Sequence, residues 1–252
     1  MFSIVLAIVA ILLRRQLEES DEFIETQTRI EATGKKANPI IEVFRQPKNA
    51  IMGILIGLPQ SIAGYVVLTY GLGYMVTDKH LPAWMGFAGT MIVGLLQIVV
   101  APTWGHISDR IGRRTVYIIG CIGVALMVYP AFMLFSTGNM WLIWLGQIIG
   151  FVLFGVAMQA TLSTMLVEMF DPEARTTGVN LGYQISNTLG GGLAPLICTA
   201  LVAAAGGAFW PVAVYAAVIS IVGVIATLAA SVRPDVEGAG RLHQLAVAAD
   251  AS

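Results

Sequence analysis

The ten residues 105–114 read Gly-His-Ile-Ser-Asp-Arg-Ile-Gly-Arg-Arg and separate two long apolar runs. This stretch holds four charged side chains, whereas the flanking runs 83–104 and 115–135 hold none. A bilayer is crossed by about 20 consecutive, mostly apolar helical residues, and both runs reach that length. The stretch therefore predicts a charged turn between two membrane-spanning helices.

The composition of the whole chain agrees with a membrane protein. It is 57% hydrophobic and 12% charged, about half the charged share of a soluble domain. No basic face accompanies the lysines and arginines, so we expect no nucleic-acid partner. Cys121 and Cys198 lie in different apolar runs and are interpreted as small hydrophobic residues. The three histidines lie in separate loops or the tail, so we expect neither a metal site nor a cofactor.

The chain divides into four parts. Residues 1–13 are apolar but span only about 20 Å as a helix, short of the membrane core. They fit a signal peptide poorly, because no basic residue precedes them, and are interpreted as the end of a transmembrane helix. Residues 14–49 form a polar cytoplasmic linker, residues 50–231 form the transmembrane domain, and residues 232–252 form a cytoplasmic tail.

Six spans are predicted within the transmembrane domain, and the fold class is an all-α membrane protein. The short linkers predict antiparallel neighbours. With the 14–49 linker in the cytoplasm, that side carries all the basic residues except Lys79, as the positive-inside rule requires. The predicted spans are 50–74, 83–104, 115–135, 141–167, 178–204 and 210–231.

Carboxamide side chains divide the six spans into two groups. An amide in hydrocarbon must pair or face water, and the third and sixth spans contain none. We therefore predict four helices around a cavity and two peripheral helices, the third and the sixth. The predicted cavity residues are Gln60, Tyr65, Gln97, Gln159, Asn180, Tyr183, Gln184 and Asn187.

The fifth span carries two different faces. Four of the cavity residues recur there at i, i+3, i+4 and i+7, which places them on one face. Small residues recur every four positions on another face and predict close helix packing; these are Gly178, Gly182, Ser186, Gly190 and Ala194. The amides fit either a polar cavity or hydrogen bonds between helices.

No Asp, Glu, Lys, Arg or His lies deep inside any span, so this part of the chain supplies no intramembrane group of the kind that couples carriers to protons. We also expect no enzymatic activity. Catalysis at membrane depth needs an activated nucleophile, a metal or an acid–base pair, and Ser163 and Thr164 have only Glu168, one turn on, as a possible base.

The charged turn either holds a loop in the cytoplasm or belongs to a gate. In the gate hypothesis, two glycines allow a tight connection and Asp109 faces the positive N-terminus of the fifth span. Glu168 and Arg175 come from the neighbouring cytoplasmic turn. The predicted gate residues are Gly105, Asp109, Arg110, Gly112, Arg113, Arg114, Glu168 and Arg175.

The pattern of residues 105–114 resembles the loop motif repeated in each half of major facilitator superfamily transporters. Glu168-x6-Arg175 is similar to the acid–arginine partner of that loop, and residues 14–20 and 172–195 resemble the metabolite:proton symporter branch. The resemblance implies the C-terminal half of a twelve-helix carrier, with two inverted three-helix repeats preceded by the end of helix six. It further implies a bacterial inner-membrane protein that carries a small metabolite, an organic acid, together with a proton.

The resemblance also implies a partner, because the opposite wall of the cavity belongs to the first half. That partner is an N-terminal half or a second copy of the chain. The alternative is a non-transporting remnant or scaffold that keeps only the fold.

Overall fold

The computed structural model describes residues 45–170 and 175–230. The predicted helix 1–13, most of the linker 14–49 and the tail 232–252 lie outside the described residues. The described part is all-helical, and six helices are long and apolar enough to cross a membrane, which confirms the predicted fold class. They are α1 (Pro47–Thr77), α2 (Ala83–Ile111), α3 (Arg113–Phe135), α4 (Met140–Met169), α5 (Arg175–Ala204) and α6 (Trp210–Ala229).

The prediction of a ten-residue turn between the second and third spans was wrong. Helix α2 continues to Ile111, and the only break is Gly112, whose φ is 92°. The helix continues because its polar residues fit helical geometry: the Ser108 hydroxyl donates to the Gly105 carbonyl at 2.7 Å, and the Gly112 N–H donates to the Ser108 carbonyl at 2.9 Å. Gly112 makes the turn, because its positive φ is costly for residues with a Cβ.

Three of the amide-bearing helices contain a π-helical turn. These turns cover Tyr65–Tyr70 in α1, Ile148–Val152 in α4 and Leu189–Leu193 in α5. The first two pack together, since a Cβ on Gly150 would lie 3.2 Å from a Val67 methyl carbon. The third ends just before Pro195, which then occupies the first turn of a fresh helical segment, where no N–H is required.

The prediction that the third and sixth helices are peripheral does not describe this six-helix unit. Of the most apolar stretch of each helix, 44% is buried in α3 and 39% in α6, but only 17% in α2 and 28% in α5. Helix α3 packs against α4 and α6, and α1 packs against α5, α6 and α4. Helices α2 and α5 are therefore the least covered elements of this unit.

Candidate functional site

The row of small residues predicted on α5 packs directly against α1. A Cβ added to Gly190 would lie 2.7 Å from the Ser61 Cβ, and one added to Gly57 would collide with the Ser186 side chain. The Ser186 hydroxyl lies 2.8 Å from the Ile54 carbonyl oxygen, so it can donate across the interface. The prediction of close packing is confirmed, and we call this contact between α1 and α5 the seam.

The amide face of α5 lies beside the seam. Asn180, Tyr183 and Gln184 are exposed on the surface of the six-helix unit. Asn187 is half-buried, and its Oδ1 accepts a hydrogen bond from the Ser61 hydroxyl at 2.8 Å. Asn187 therefore joins two helices, as the packing interpretation predicts, whereas for the exposed Asn180, Tyr183 and Gln184 the polar cavity stays a prediction.

The other predicted cavity residues also divide into open and packed groups. Gln159 is exposed, Gln97 is half-buried, and Tyr65 is 36% exposed. A Cβ on Gly191 of α5 would lie 2.6 Å from the Tyr65 ring, so this tyrosine stands at the edge of the seam. Gln60 is buried, and among the described residues its Oε1 has no hydrogen-bond partner.

The Gln147 amide, which is not one of the predicted cavity residues, forms a hydrogen bond between two packed helices. It is fully buried, and its Nε2 donates to the Gly86 carbonyl of α2 at 3.3 Å. The indole N–H of Trp144, one turn earlier, donates to the neighbouring Met85 carbonyl at 2.9 Å. Both side chains fasten α4 to α2, and neither contact has a signal in the sequence, because a backbone carbonyl is present at every residue.

Two of the predicted gate residues form an ion pair between helices in the described part of the chain. Arg113, at the start of α3, pairs with Glu168 near the end of α4. The Asp109 carboxylate lies 4.0 Å from the Arg113 guanidinium, and its side chain is 64% exposed. This contact lies within one turn of sequence, and the expectation that Asp109 faces the N-terminus of the fifth span stays a prediction.

The remaining gate residues have separate positions. The Arg114 guanidinium donates a hydrogen bond of 2.6 Å to the Ala230 carbonyl at the end of α6. Arg110 is exposed, and Arg175 begins α5 in a half-buried position. Gly105 does not form a tight connection as predicted: it is helical, and a Cβ there would meet nothing within 4 Å.

Six apolar helices, a packed seam and a neutral polar face define a multi-pass integral membrane protein. The sequence profile of the family described as "Sugar (and other) transporter" matches residues 7–234. The chain belongs to this family, within the major facilitator superfamily.

Several curated relatives are similar to the chain. The shikimate transporter of Escherichia coli (strain K12) is 31% identical over 217 residues, which is 85% of this chain and 49% of the relative. The glycine betaine/proline/ectoine/pipecolic acid transporter OusA of Dickeya dadantii is 26% identical over 231 residues, covering 88% and 45% of the two chains. The citrate-proton symporter of Klebsiella pneumoniae is 23% identical over 202 residues, covering 80% and 45%.

The chain spans about half the length of the curated relatives it matches. No solved structure matches it significantly.

Proposed function

We propose that this chain is the C-terminal half of a secondary transporter that moves a small organic acid by proton symport and alternating access. The single observation that carries the proposal is the open polar face of α5, where Asn180, Tyr183 and Gln184 are exposed beside the packed seam. Amides and a phenol facing lipid would be costly, so this face is suited to a polar cavity or a covering protein surface.

The chemistry of the open residues limits what this half contributes. Gln159, Asn180, Gln184 and the two tyrosines offer neutral donors and acceptors, and no Lys, Arg or His lies among them. Such groups suit the hydroxyl and carbonyl groups of a ligand. The cation for a carboxylate and the acid that carries the proton belong, in this proposal, to an opposite half.

The partner is accordingly an N-terminal half or a second copy of the chain, with lipid around both. The names of the relatives support an organic acid: one is a shikimate transporter and another a citrate-proton symporter. The distribution of basic residues supports an orientation with the 14–49 linker and the C-terminus in the cytoplasm, and the bacterial transporters among the relatives support an inner-membrane location.

Coexpression tests the proposal. The chain is produced in a transport-deficient bacterium with the first six helices of the shikimate transporter, and uptake of radiolabelled shikimate, citrate and glycine betaine is measured with and without an uncoupler. We expect uncoupler-sensitive uptake of an acid only when both halves are present. Stronger uptake of betaine would overturn the organic-acid assignment, and a well-inserted pair that transports none of the three would contradict the carrier.

A non-transporting scaffold is the second candidate, and it is favoured by the absence of Asp, Glu, Lys, Arg and His from the interior of the six predicted spans. Asp109→Asn in the coexpressed pair separates the two. A gate residue changes the uptake rate at unchanged expression, because Asp109 lies 4.0 Å from Arg113 of the ion pair. A scaffold offers no uptake that the variant can change.

A further inference from the structure

Two consecutive arginines open α3, at a position that disfavours both. The N-terminus of a helix carries partial positive charge, so cations there are repelled. The first turn of α3 contains no acidic residue to offset Arg113 and Arg114. Their compensation comes from two other helices, and the two acceptors differ in kind.

Arg113 has acceptors that can be exchanged. It pairs with the Glu168 carboxylate, and a second carboxylate, that of Asp109, lies 4.0 Å away. The side chains of Arg113, Glu168 and Asp109 are 38%, 16% and 64% exposed, so water reaches this ion pair. A partly exposed pair with a competing acid near it breaks at a lower cost than a fully buried pair.

Arg114 has a fixed acceptor, the backbone carbonyl of Ala230 at 2.6 Å. Ala230 is 7% exposed and caps the C-terminus of α6, whose last turn contains no basic residue. The carbonyls at the end of a helix have no partner within their own helix, and a buried carbonyl without a donor is costly. Among the described residues, Arg114 of α3 supplies the donor for this carbonyl at the end of α6.

The opposite ends of the same two helices are also fastened. Phe209, which precedes α6, lies 5.4 Å from the Tyr129 ring and 6.1 Å from the Phe132 ring, measured between centroids. Both partners belong to α3. The antiparallel helices α3 and α6 are thus held at the outer end by aromatic packing and at the inner end by the Arg114–Ala230 hydrogen bond.

We infer that the two arginines have separate roles: Arg114 is a positioning residue that locks α3 and α6 into one lasting block, whereas Arg113 makes the breakable contact to α4. In this arrangement, α4 separates from α3 at its inner end while α6 stays attached. Both contacts lie within the six helices and are independent of the compound that is transported.

Hydrogen–deuterium exchange on the whole chain in lipid nanodiscs tests this division, and each arginine serves as the control for the other. Arg114→Gln is expected to accelerate exchange of the amides 226–230, at the end of α6, about tenfold, the effect of losing one charge-assisted hydrogen bond. The amides 165–169, at the end of α4, should stay within about twofold. Arg113→Gln and Glu168→Gln should produce the opposite pattern.

Arg114→Lys keeps a donor but loses the guanidinium reach, so a smaller acceleration is expected at 226–230 and none at 165–169. This variant decides the question if Arg114→Gln does not fold. Unchanged exchange at 226–230 in the folded Arg114 variant would overturn the inference. So would an Arg113→Gln variant that loosens the ends of α4 and α6 together.

Discussion

The two faces of α5 differ in every property that matters for their roles. One face consists of small residues, among them Gly182, Ser186 and Gly190, and is buried against α1. The other carries Asn180 and Gln184 and is exposed. Because the first face packs closely against α1, it fixes the position of α5 and therefore of the exposed residues on the second face.

The comparison also shows that polarity alone does not mark a binding surface. Asn187 belongs to the amide face by helical spacing, yet it accepts a hydrogen bond from Ser61 across the seam. Ser186 belongs to the packed face, yet its hydroxyl is polar and contacts the Ile54 carbonyl. What separates the faces is whether the partner of each polar group already lies within the six-helix unit.

The largest expected effect comes from enlarging the packed face. Gly57→Val places a branched side chain where a Cβ alone would collide with Ser186, so we expect a loss of about 3 kcal/mol in the free energy of unfolding. The matched control is Gly73→Val on the same helix, because a Cβ on Gly73 meets nothing within 4 Å. The measurement is unfolding in detergent, and equal losses at the two positions would show that the seam is not tightly packed.

A smaller effect is expected within the π-helical turn of α5. Gly190→Ala brings a methyl group 2.7 Å from the Ser61 Cβ and should cost about 1–2 kcal/mol of unfolding free energy. Gly192→Ala, two residues later, meets nothing within 4 Å and should stabilise the helix by up to about 1 kcal/mol, because alanine favours helix over glycine. Changes of the same sign in the two variants would contradict the one-sided packing of α5.

The hydrogen bond between Ser61 and Asn187 should contribute about 0.6 kcal/mol, the average that double-mutant cycles give for such a bond between membrane helices. A double-mutant cycle of Ser61→Ala and Asn187→Ala measures it as the coupling between the two losses of unfolding free energy. A coupling near zero would show that Asn187 does not stabilise the contact between α1 and α5. Asn187 would then have the same role as the exposed amides Asn180 and Gln184.

The sequence was sufficient for the features that depend on periodicity. The six spans and the packed row on α5 follow from apolar runs and from small residues four positions apart, and both were confirmed. The length of the charged turn was not predictable in this way. Residues 105–111 contain no proline, and their charged side chains are compatible with a helix. Helix α2 ends only at Gly112, whose φ is positive.

The partners of individual polar groups were also beyond the sequence. Arg114 binds a backbone carbonyl of Ala230, 116 residues away, and Gln147 binds that of Gly86. Such acceptors depend on how helices pack and not on which residue type supplies them. The burial of α3 and α6 likewise depends on how the helices pack against one another. The number of amides in each span carries no information about that packing, so the sequence could not predict it.

Substitutions on the exposed face of α5 are expected to have the smallest effect on the free energy of unfolding, but a large effect on uptake. Asn180→Leu and Gln184→Leu remove amides that are open in the six-helix unit, so each should change its unfolding free energy by no more than about 0.5 kcal/mol. In the assembled pair of the proposed carrier, the same variants should lower uptake about tenfold, because each removes a hydrogen bond to the ligand.

Ile185→Leu provides the matched control for both measurements, since Ile185 is exposed next to Gln184 but points about 100° away around the helix. Its uptake and stability should match those of the unchanged chain. If Asn180→Leu or Gln184→Leu instead destabilises the six-helix unit as much as Asn187→Ala does, those amides act in packing. The two faces of α5 would then have one role, because both would serve only to hold helices together.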